Sequence, residues 1–251
     1  MHPYVSLLGS RIPTYSLCAM LGILAATFNL VTALYSKGFV RKYAALAYIA
    51  LPGAILGGKF FSVISITLTQ LYFGKSIDLV ENIKLSGNVY YGGLFGYLVV
   101  LYLLCKLKNC DFNELENPIA ISIPLFHLFG RIGCFFAGCC YGVESDSWLA
   151  IAYRIGEETE VVRRIPVQLV EAGFELCLFS LLYMLFKRAE KHKSKNPCFL
   201  EIYLIAYALF RFAIEFLRGD LLRGVYGFLS FSQIVSLILV LGIACHHLYK
   251  K

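Results

Sequence analysis

The run YSLCAMLGILAATFNLVTALY, residues 15–35, holds no charged side chain. A helix needs about 20 apolar residues to cross the hydrocarbon core of a bilayer, so this run predicts a transmembrane helix. The whole chain has 251 residues, of which 59% are hydrophobic and 16% charged, whereas soluble domains carry about 25% charged residues. A soluble fold of this size could not cover so much apolar surface. We therefore predict an all-α integral membrane protein.

Seven segments have the length and apolar character of membrane spans. They cover residues 14–35, 46–72, 89–106, 117–138, 167–186, 199–217 and 228–249. The second segment is long and contains Pro52, Gly53, Gly57 and Gly58, so we expect it to tilt, kink or break there. These spans use nearly the full length, which predicts a single polytopic membrane domain over residues 1–251.

The charges of the loops predict the orientation of the chain. One alternate set of loops carries twelve lysines and arginines with few acids, and the opposite set carries eight, diluted by aspartates and glutamates. Basic residues are enriched on the cytoplasmic side, so we place the N-terminus outside and the C-terminus in the cytoplasm. The longest loop, residues 139–166, then faces outward and could cover a site at the outer leaflet. Basic residues in short loops are a topology signal, so we expect no nucleic-acid binding.

Several ionisable residues fall inside predicted spans. Each costs about 2.5–3.5 kcal/mol to insert at mid-helix, so each is by default a functional-site hypothesis. The set comprises Lys59, Arg131, Glu171, Glu175, Arg211 and Glu215. Lys59 and Glu175 could instead reach an interface from the end of a helix. A purely structural alternative for the whole set is a polar seam that joins the helices.

Helical spacing places some of these side chains together. Arg211, Glu215 and Arg218 stand at i, i+4 and i+7, so they share one face of a helix. Glu215 can pair with either arginine, which leaves one guanidinium partly available for an anion. Gln168 and Glu171 stand at i and i+3 and also share a face.

The strongest local pattern is FGRIGCFFAGCCYG, residues 129–142, in which glycines bracket Arg131. Glycines let a helix or a lipid headgroup approach the backbone closely. An arginine fork in such a pocket suits a phosphate, because it gives paired charge-assisted hydrogen bonds. A second stretch, YYGG at residues 90–93, is weaker alone, since aromatic belts routinely supply tyrosines at interfaces.

Seven ordered motifs, spread over nearly the whole chain, resemble those of the bacterial prolipoprotein diacylglyceryl transferases. They are PTYSLCAMLG at 13–22, LGGK at 56–59, YYGGLFG at 90–96, FGRIGCFFAGCCYG at 129–142, IPVQLVEAGFEL at 165–176, FRFAIEFLRGD at 210–220 and SFSQIVS at 230–236. The resemblance implies a multi-pass protein of the bacterial cytoplasmic membrane. It implies transfer of the diacylglyceryl group of phosphatidylglycerol to the lipobox cysteine thiol of a prolipoprotein, with release of glycerol phosphate. We predict no cofactor.

The resemblance also implies roles for individual residues. Arg131 and Arg211 match the arginines of two motifs, and we expect them to hold the phosphate. Tyr91 stands where the family has a histidine and is taken as the third catalytic residue. The expected substrate-binding residues are Tyr15, Lys59, Gly92, Gly93, Gly130, Gly138, Gly142, Gln168, Glu171, Glu215 and Arg218.

Three positions depart from the family pattern. Tyr91 replaces the histidine, Cys134 replaces an asparagine, and Cys139 replaces a glutamate. A phenol with an ordinary pKa of about 10 is a poor general base near neutral pH. The chain could use another proton acceptor, or the phosphate itself. It could also act on another lipid or acceptor, or bind lipid without catalysis. His127 lies four residues before Arg131, and a core histidine is favoured over a catalytic one.

Two other classes of function are less favoured. A transporter would use the same charged residues as a substrate path. Against it, no repeat is visible, and the arginines all carry the same sign of charge, which fits a fixed anionic headgroup. A metal or redox site would use Cys134, Cys139 and Cys140, with His127. Their spacing is not the C-x-x-C pairing of structural zinc sites, so we predict no metal. A redox pair is slightly more favoured, because this stretch lies near the outer face.

Overall fold

The protein is described by a computed structural model that covers residues 3–7, 10–35, 40–153, 161–192, 198–219 and 224–249. Helices dominate it. They are α1 (Thr14–Tyr35), α2 (Val40–Ile49), α3 (Leu51–Tyr72), α4 (Leu79–Leu85), α5 (Tyr90–Leu107), α6 (Phe112–Ala137), α7 (Val167–Lys191), α8 (Phe199–Ile214) and α9 (Phe231–Tyr249). Short antiparallel hairpins pair β1 (Tyr4–Leu7) with β2 (Ser10–Pro13), β3 (Ile151–Tyr153) with β4 (Val162–Arg164), and β5 (Val225–Tyr226) with β6 (Leu229–Ser230).

Six stretches of helix among the described residues are long and apolar enough to cross a membrane. They are Thr14–Tyr35, Arg41–Tyr72, Tyr90–Leu107, Phe112–Ala137, Val167–Lys191 and Phe231–Tyr249, which confirms an all-α integral membrane protein. The seventh predicted span, residues 199–217, is the shorter helix α8 followed by a 3-10 turn at Glu215–Leu217. Sixteen residues of α-helix rise about 24 Å, and the turn adds about 6 Å at most. Its status as a span stays a prediction, as does the orientation.

The expected break in the second predicted span occurs at Ala50, between α2 and α3. Pro52 stands in the first turn of α3, where a missing backbone N–H costs no intrahelical hydrogen bond. Backbone hydrogen bonds continue across the break. Ala50 N donates to Leu46 O at 3.0 Å, and Gly53 N donates to Ala50 O at 2.9 Å. The proline therefore starts a new helix rather than ending the span.

The chain divides into two compact units. The first unit comprises Met1–Ala33 and Glu116–Asp220, and the second comprises Leu34–Leu115 and Leu221–Lys251. Within the first unit, buried Asn29 of α1 donates to Ser122 Oγ of α6 at 2.9 Å. The rings of Phe174 and Phe210 stack with centroids 3.8 Å apart and join α7 to α8. The prediction of a single domain over residues 1–251 stays a prediction.

Within the second unit, α3 and α5 touch through their backbones. A Cβ atom on Gly53 would lie 2.7 Å from Gly96 O, and a Cβ on Gly92 would lie 2.5 Å from the Cβ of Phe61. A Cβ on Gly57 would collide with Gly92 O. Small residues at a helix crossing allow close dispersion contact where lipid offers no hydrophobic drive. The glycines of YYGG therefore pack α5 against α3.

We predict that Gly92→Ala destabilises the protein by about 1–3 kcal/mol, since the new methyl group overpacks a backbone contact. Gly173→Ala is the matched control. Gly173 is also helical, but an added Cβ there meets no atom within 4 Å, so stability should stay equal or rise by about 0.5–1 kcal/mol. Thermal unfolding in detergent measures both. Equal unfolding temperatures for the two variants would contradict the packing role.

Candidate active site

An ion-paired cluster occupies the interior of the first unit. Its centre is Glu171 of α7, whose side chain is 1% exposed. Glu171 Oε1 accepts from Arg211 Nη1 of α8 at 2.6 Å, and Glu171 Oε2 lies 2.8 Å from Arg131 Nε of α6. Arg211 Nη2 lies 2.6 Å from Glu215 Oε2. One carboxylate therefore joins the two arginines expected to hold a phosphate.

His127 orients Arg131 from the preceding turn of α6. Arg131 Nε donates to His127 Nε2 at 3.0 Å, and His127 Nδ1 lies 2.7 Å from Glu175 Oε1. Because Nε2 accepts, the ring hydrogen is on Nδ1 and is donated to Glu175. The histidine is thus neutral and engaged at both nitrogens. It is buried, as the core interpretation expected, but it positions an arginine rather than filling a gap.

One sequence-based alternative needs correction, and one pairing that the sequence left open is resolved. Glu175 does not reach an interface from a helix end, because its side chain is 0% exposed and lies on His127. Glu215 pairs with Arg211, one of the two arginines that its spacing allowed. Arg218 is buried at 5% exposure and its backbone bridges to Gly142. The structure therefore brings Arg131, Gln168, Glu171, Arg211, Glu215 and Arg218 into one unit.

The two Nη groups of Arg131 can donate hydrogen bonds to a bound anion. Within the described part of the chain, the hydrogen bond of this side chain is the one from Nε to His127. Both Nη groups, with four N–H donors, have no acceptor among those residues. The side chain is 9% exposed, so the donors sit in a largely dry environment. Such a fork suits a bidentate oxyanion.

The glycine-rich stretch ends α6 and turns the chain back. Gly138 adopts a positive φ of 72°, and Cys139 N donates to Cys134 O at 3.1 Å. Positive φ suits glycine because it has no Cβ. Gly142 N then donates to Ile165 O at 2.9 Å. A Cβ on Gly142 would lie 2.6 Å from that same oxygen, so this glycine serves the packing of the loop. A Cβ on Gly130 would meet no atom within 4 Å.

Gln168 holds the returning loop in place. Its Nε2 donates to Cys139 O at 2.6 Å, and its Oε1 accepts from the Tyr153 hydroxyl at 3.0 Å. Burial raises the pKa of Tyr153 to about 12, so its hydroxyl keeps its hydrogen at neutral pH. The Gln168 side chain is fully buried. Its contacts fix the cysteine loop, and a direct role on substrate stays a prediction.

Three cysteines meet where the loop folds back. The Sγ atoms of Cys134, Cys139 and Cys140 all lie within 4.8 Å of one another. Hydrogen bonds from the Cys134 and Cys139 thiols hold the pKa of the Cys140 thiol well below its usual range, and the charges of Arg218 and Arg131 act in the same direction. The sequence spacing did not reveal this convergence. The phenol of Tyr15, an expected substrate-binding residue, lies within electrostatic reach of the same sulfurs and of Arg131.

The remaining expected site residues belong to the second unit. The Tyr91 hydroxyl is 2.6 Å from Ser236 Oγ, and Ser236 Oγ donates to Ser232 O at 2.8 Å. Tyr91 therefore donates its own hydrogen to Ser236, and its ring is 1% exposed. Gly92 and Gly93 belong to the helix contact described above, and Lys59 is exposed on α3. Their roles on substrate stay predictions.

The chain is similar to known proteins over almost its full length. The family model described as prolipoprotein diacylglyceryl transferase matches residues 3–249. A phosphatidylglycerol–prolipoprotein diacylglyceryl transferase of Clostridium tetani is 33% identical over 242 residues, covering 94% of this chain and 93% of that protein. A second enzyme of that name from Clostridium perfringens is 31% identical, covering 93% and 89%, and one from Rickettsia canadensis is 32% identical, covering 91% and 88%. The chain belongs to the prolipoprotein diacylglyceryl transferase family.

Proposed function

We propose that this protein transfers the diacylglyceryl group of phosphatidylglycerol to the lipobox cysteine of a prolipoprotein. The observation that carries the proposal is the buried fork of Arg131, whose Nη donors have no acceptor among the described residues. The names of the relatives specify phosphatidylglycerol and prolipoprotein as substrates. A phosphodiester headgroup offers two oxygens to such a fork. Bacterial relatives and the six apolar helices support the cytoplasmic membrane as the location.

The chemistry requires charge stabilisation on the leaving group. The acceptor sulfur attacks the glyceryl carbon, the carbon–oxygen bond to phosphate breaks, and glycerol phosphate departs with the bonding electrons. Arg131 would hold the phosphate oxygens as charge develops, in a site that excludes most water. Arg211 is already fixed by Glu171 and Glu215, so it needs no reorganisation during the reaction.

His127 and Glu175 hold the side chain of Arg131 in position. A side-chain oxygen of Glu175 accepts from Nδ1, which leaves Nε2 to accept from Arg131 Nε. This fixes the plane of the guanidinium without using its Nη donors. Tyr91 remains a predicted catalytic residue, although its hydrogen is donated to Ser236 in the second unit. With the predicted orientation, the loop at residues 139–166 lies at the outer face, where a secreted acceptor arrives.

We predict that Arg131→Ala lowers transfer by about 10²–10³-fold, the usual cost of losing a donor to a developing oxyanion. The assay mixes detergent-purified protein, phosphatidylglycerol and a one-cysteine lipobox peptide, and mass spectrometry detects a diacylglyceryl mass gain. Arg188→Ala is the control, since Arg188 is an exposed arginine in the last turn of α7. A folded native protein that binds the lipid but never modifies the peptide would refute the transferase and leave a lipid-binding protein.

We predict that His127→Leu lowers the rate about 10- to 100-fold, because Arg131 Nε loses its acceptor on His127 and keeps only the contact with Glu171 Oε2. His127→Gln supplies an oxygen acceptor without a titrating ring, so it should recover most of the rate. Its pH profile should match that of the native protein. An equal loss in both variants, with a changed pH profile in His127→Gln, would show that His127 acts as a general base instead.

A further inference from the structure

The Cys134–Cys139–Cys140 cluster has the dimensions of a metal site. Three thiolates bound to one zinc ion at about 2.3 Å, with tetrahedral angles, lie about 3.8 Å apart. The three Sγ atoms here already lie within 4.8 Å of one another. Each sulfur needs to move by less than about 1 Å to bind a common ion. Soft thiolates select zinc and similar thiophilic ions over magnesium or calcium.

The backbone holds the cluster in this arrangement. Cys140 adopts a positive φ of 60°, a strained conformation for a non-glycine residue that persists only where the surroundings enforce it. Gln168 fixes the carbonyl of Cys139. On the other side, Gly219 N donates to Tyr141 O at 3.0 Å. Cys134 is 9% exposed in the last turns of α6, so the two loop cysteines are folded back onto a fixed one.

The cluster supplies three ligands. Among the described residues, the group of possible ligand atoms contains these three sulfurs and no others. His127, the fourth ligand considered from the sequence, is engaged by Arg131 and Glu175. Structural zinc sites are closed by four protein ligands, whereas catalytic sites keep one position open. The positive charges of Arg218 and Arg131 act on Cys140, in the direction that opposes the net negative charge of three thiolates on a divalent ion.

The cluster also lies beside the proposed phosphate site. Cys134 follows Arg131 by three residues on α6, so both share one face and are separated by about 4.5 Å along the axis. Described histidines other than His127 lie at the ends of helices, namely His192 after α7 and His246 and His247 in the last turn of α9. A nucleophile held at the cluster would therefore stand next to the leaving group without needing a histidine base.

We propose that Cys134, Cys139 and Cys140 bind a zinc ion whose open position takes the sulfur of the acceptor cysteine. This inference rests on the proposed transferase function. The acceptor thiol gives its proton to water as the sulfur binds zinc. The bound sulfur then attacks the glyceryl carbon, a carbon–sulfur bond forms, and the carbon–oxygen bond to phosphate breaks. Glycerol phosphate leaves with that electron pair, and the thioether, a weaker ligand than a thiolate, dissociates from the metal.

The first test is the metal content of the full chain, purified in detergent under reducing conditions without chelator. We expect one zinc ion per chain by elemental mass spectrometry. Cys134→Ser and Cys140→Ser should each lose it, and Cys177→Ser should keep it, because Cys177 is an exposed cysteine on α7. A native protein without bound metal, or one whose mass shows two hydrogens lost to a disulfide, would overturn the inference.

The second test uses the native protein loaded with cobalt(II) in place of zinc, so that it does not depend on the folding of variants. Thiolate-to-cobalt charge-transfer absorption should appear on loading. A lipobox peptide with one cysteine should raise this absorption by roughly a third as a fourth thiolate binds, and the same peptide with serine should not. An unchanged spectrum with the cysteine peptide would overturn the inference.

The activity assay separates failure of this inference from failure of the proposed function. Chelator-treated protein should not modify the peptide, and added zinc should restore the mass gain. If metal-free protein modifies the peptide at the native rate, the zinc inference falls and the transferase stands. If the cobalt spectrum responds to the peptide but no lipid is ever transferred, the thiol-binding metal site stands and the transferase falls.

Discussion

The first unit depends on the ion pairs that the carboxylate of Glu171 forms. This carboxylate lies on α7 and contacts arginines from α6 and α8 at 2.8 and 2.6 Å. Buried charges are tolerated only when paired, and removal of one partner typically costs 3–5 kcal/mol. The rotation of all three helices is therefore set by one side chain, since each must present its charged residue to the same point. Apolar packing alone would leave these rotations loosely specified in a lipid-like environment.

The helical membrane fold could be predicted because long apolar runs recur along the chain. Long apolar runs specify membrane helices wherever they occur, and Pro52 marked the break between α2 and α3. The three short hairpins could not be predicted, because strands of two to four residues carry no periodic pattern. The predicted segment at residues 199–217 contains α8 and the 3-10 turn at Glu215–Leu217, and no residue type in it marks the change of helix type.

The site could be predicted only where the partners are close in the sequence. The pairing of Arg211 with Glu215 follows from helical spacing. The contact of His127 with Glu175 joins residues 48 positions apart, so the sequence revealed the histidine but not its role. The cysteine cluster was discounted because its linear spacing fits no zinc motif. The turn at Gly138 and the positive φ of Cys140 bring the sulfurs together. The number of residues between the cysteines does not predict this backbone conformation.

The glycine contact between α3 and α5 has a mechanical consequence for the second unit. The backbones meet at Gly53, Gly57, Gly92 and Gly96, and Val89 N donates to Gly58 O at 3.1 Å beside them. A slide of one residue would drive a side chain into the opposite backbone, so the two helices are locked in register. No acyl chain can pass through a seam that lacks room for a single methyl group. The crossing of α3 and α5 is therefore closed to lipid tails along these four glycines.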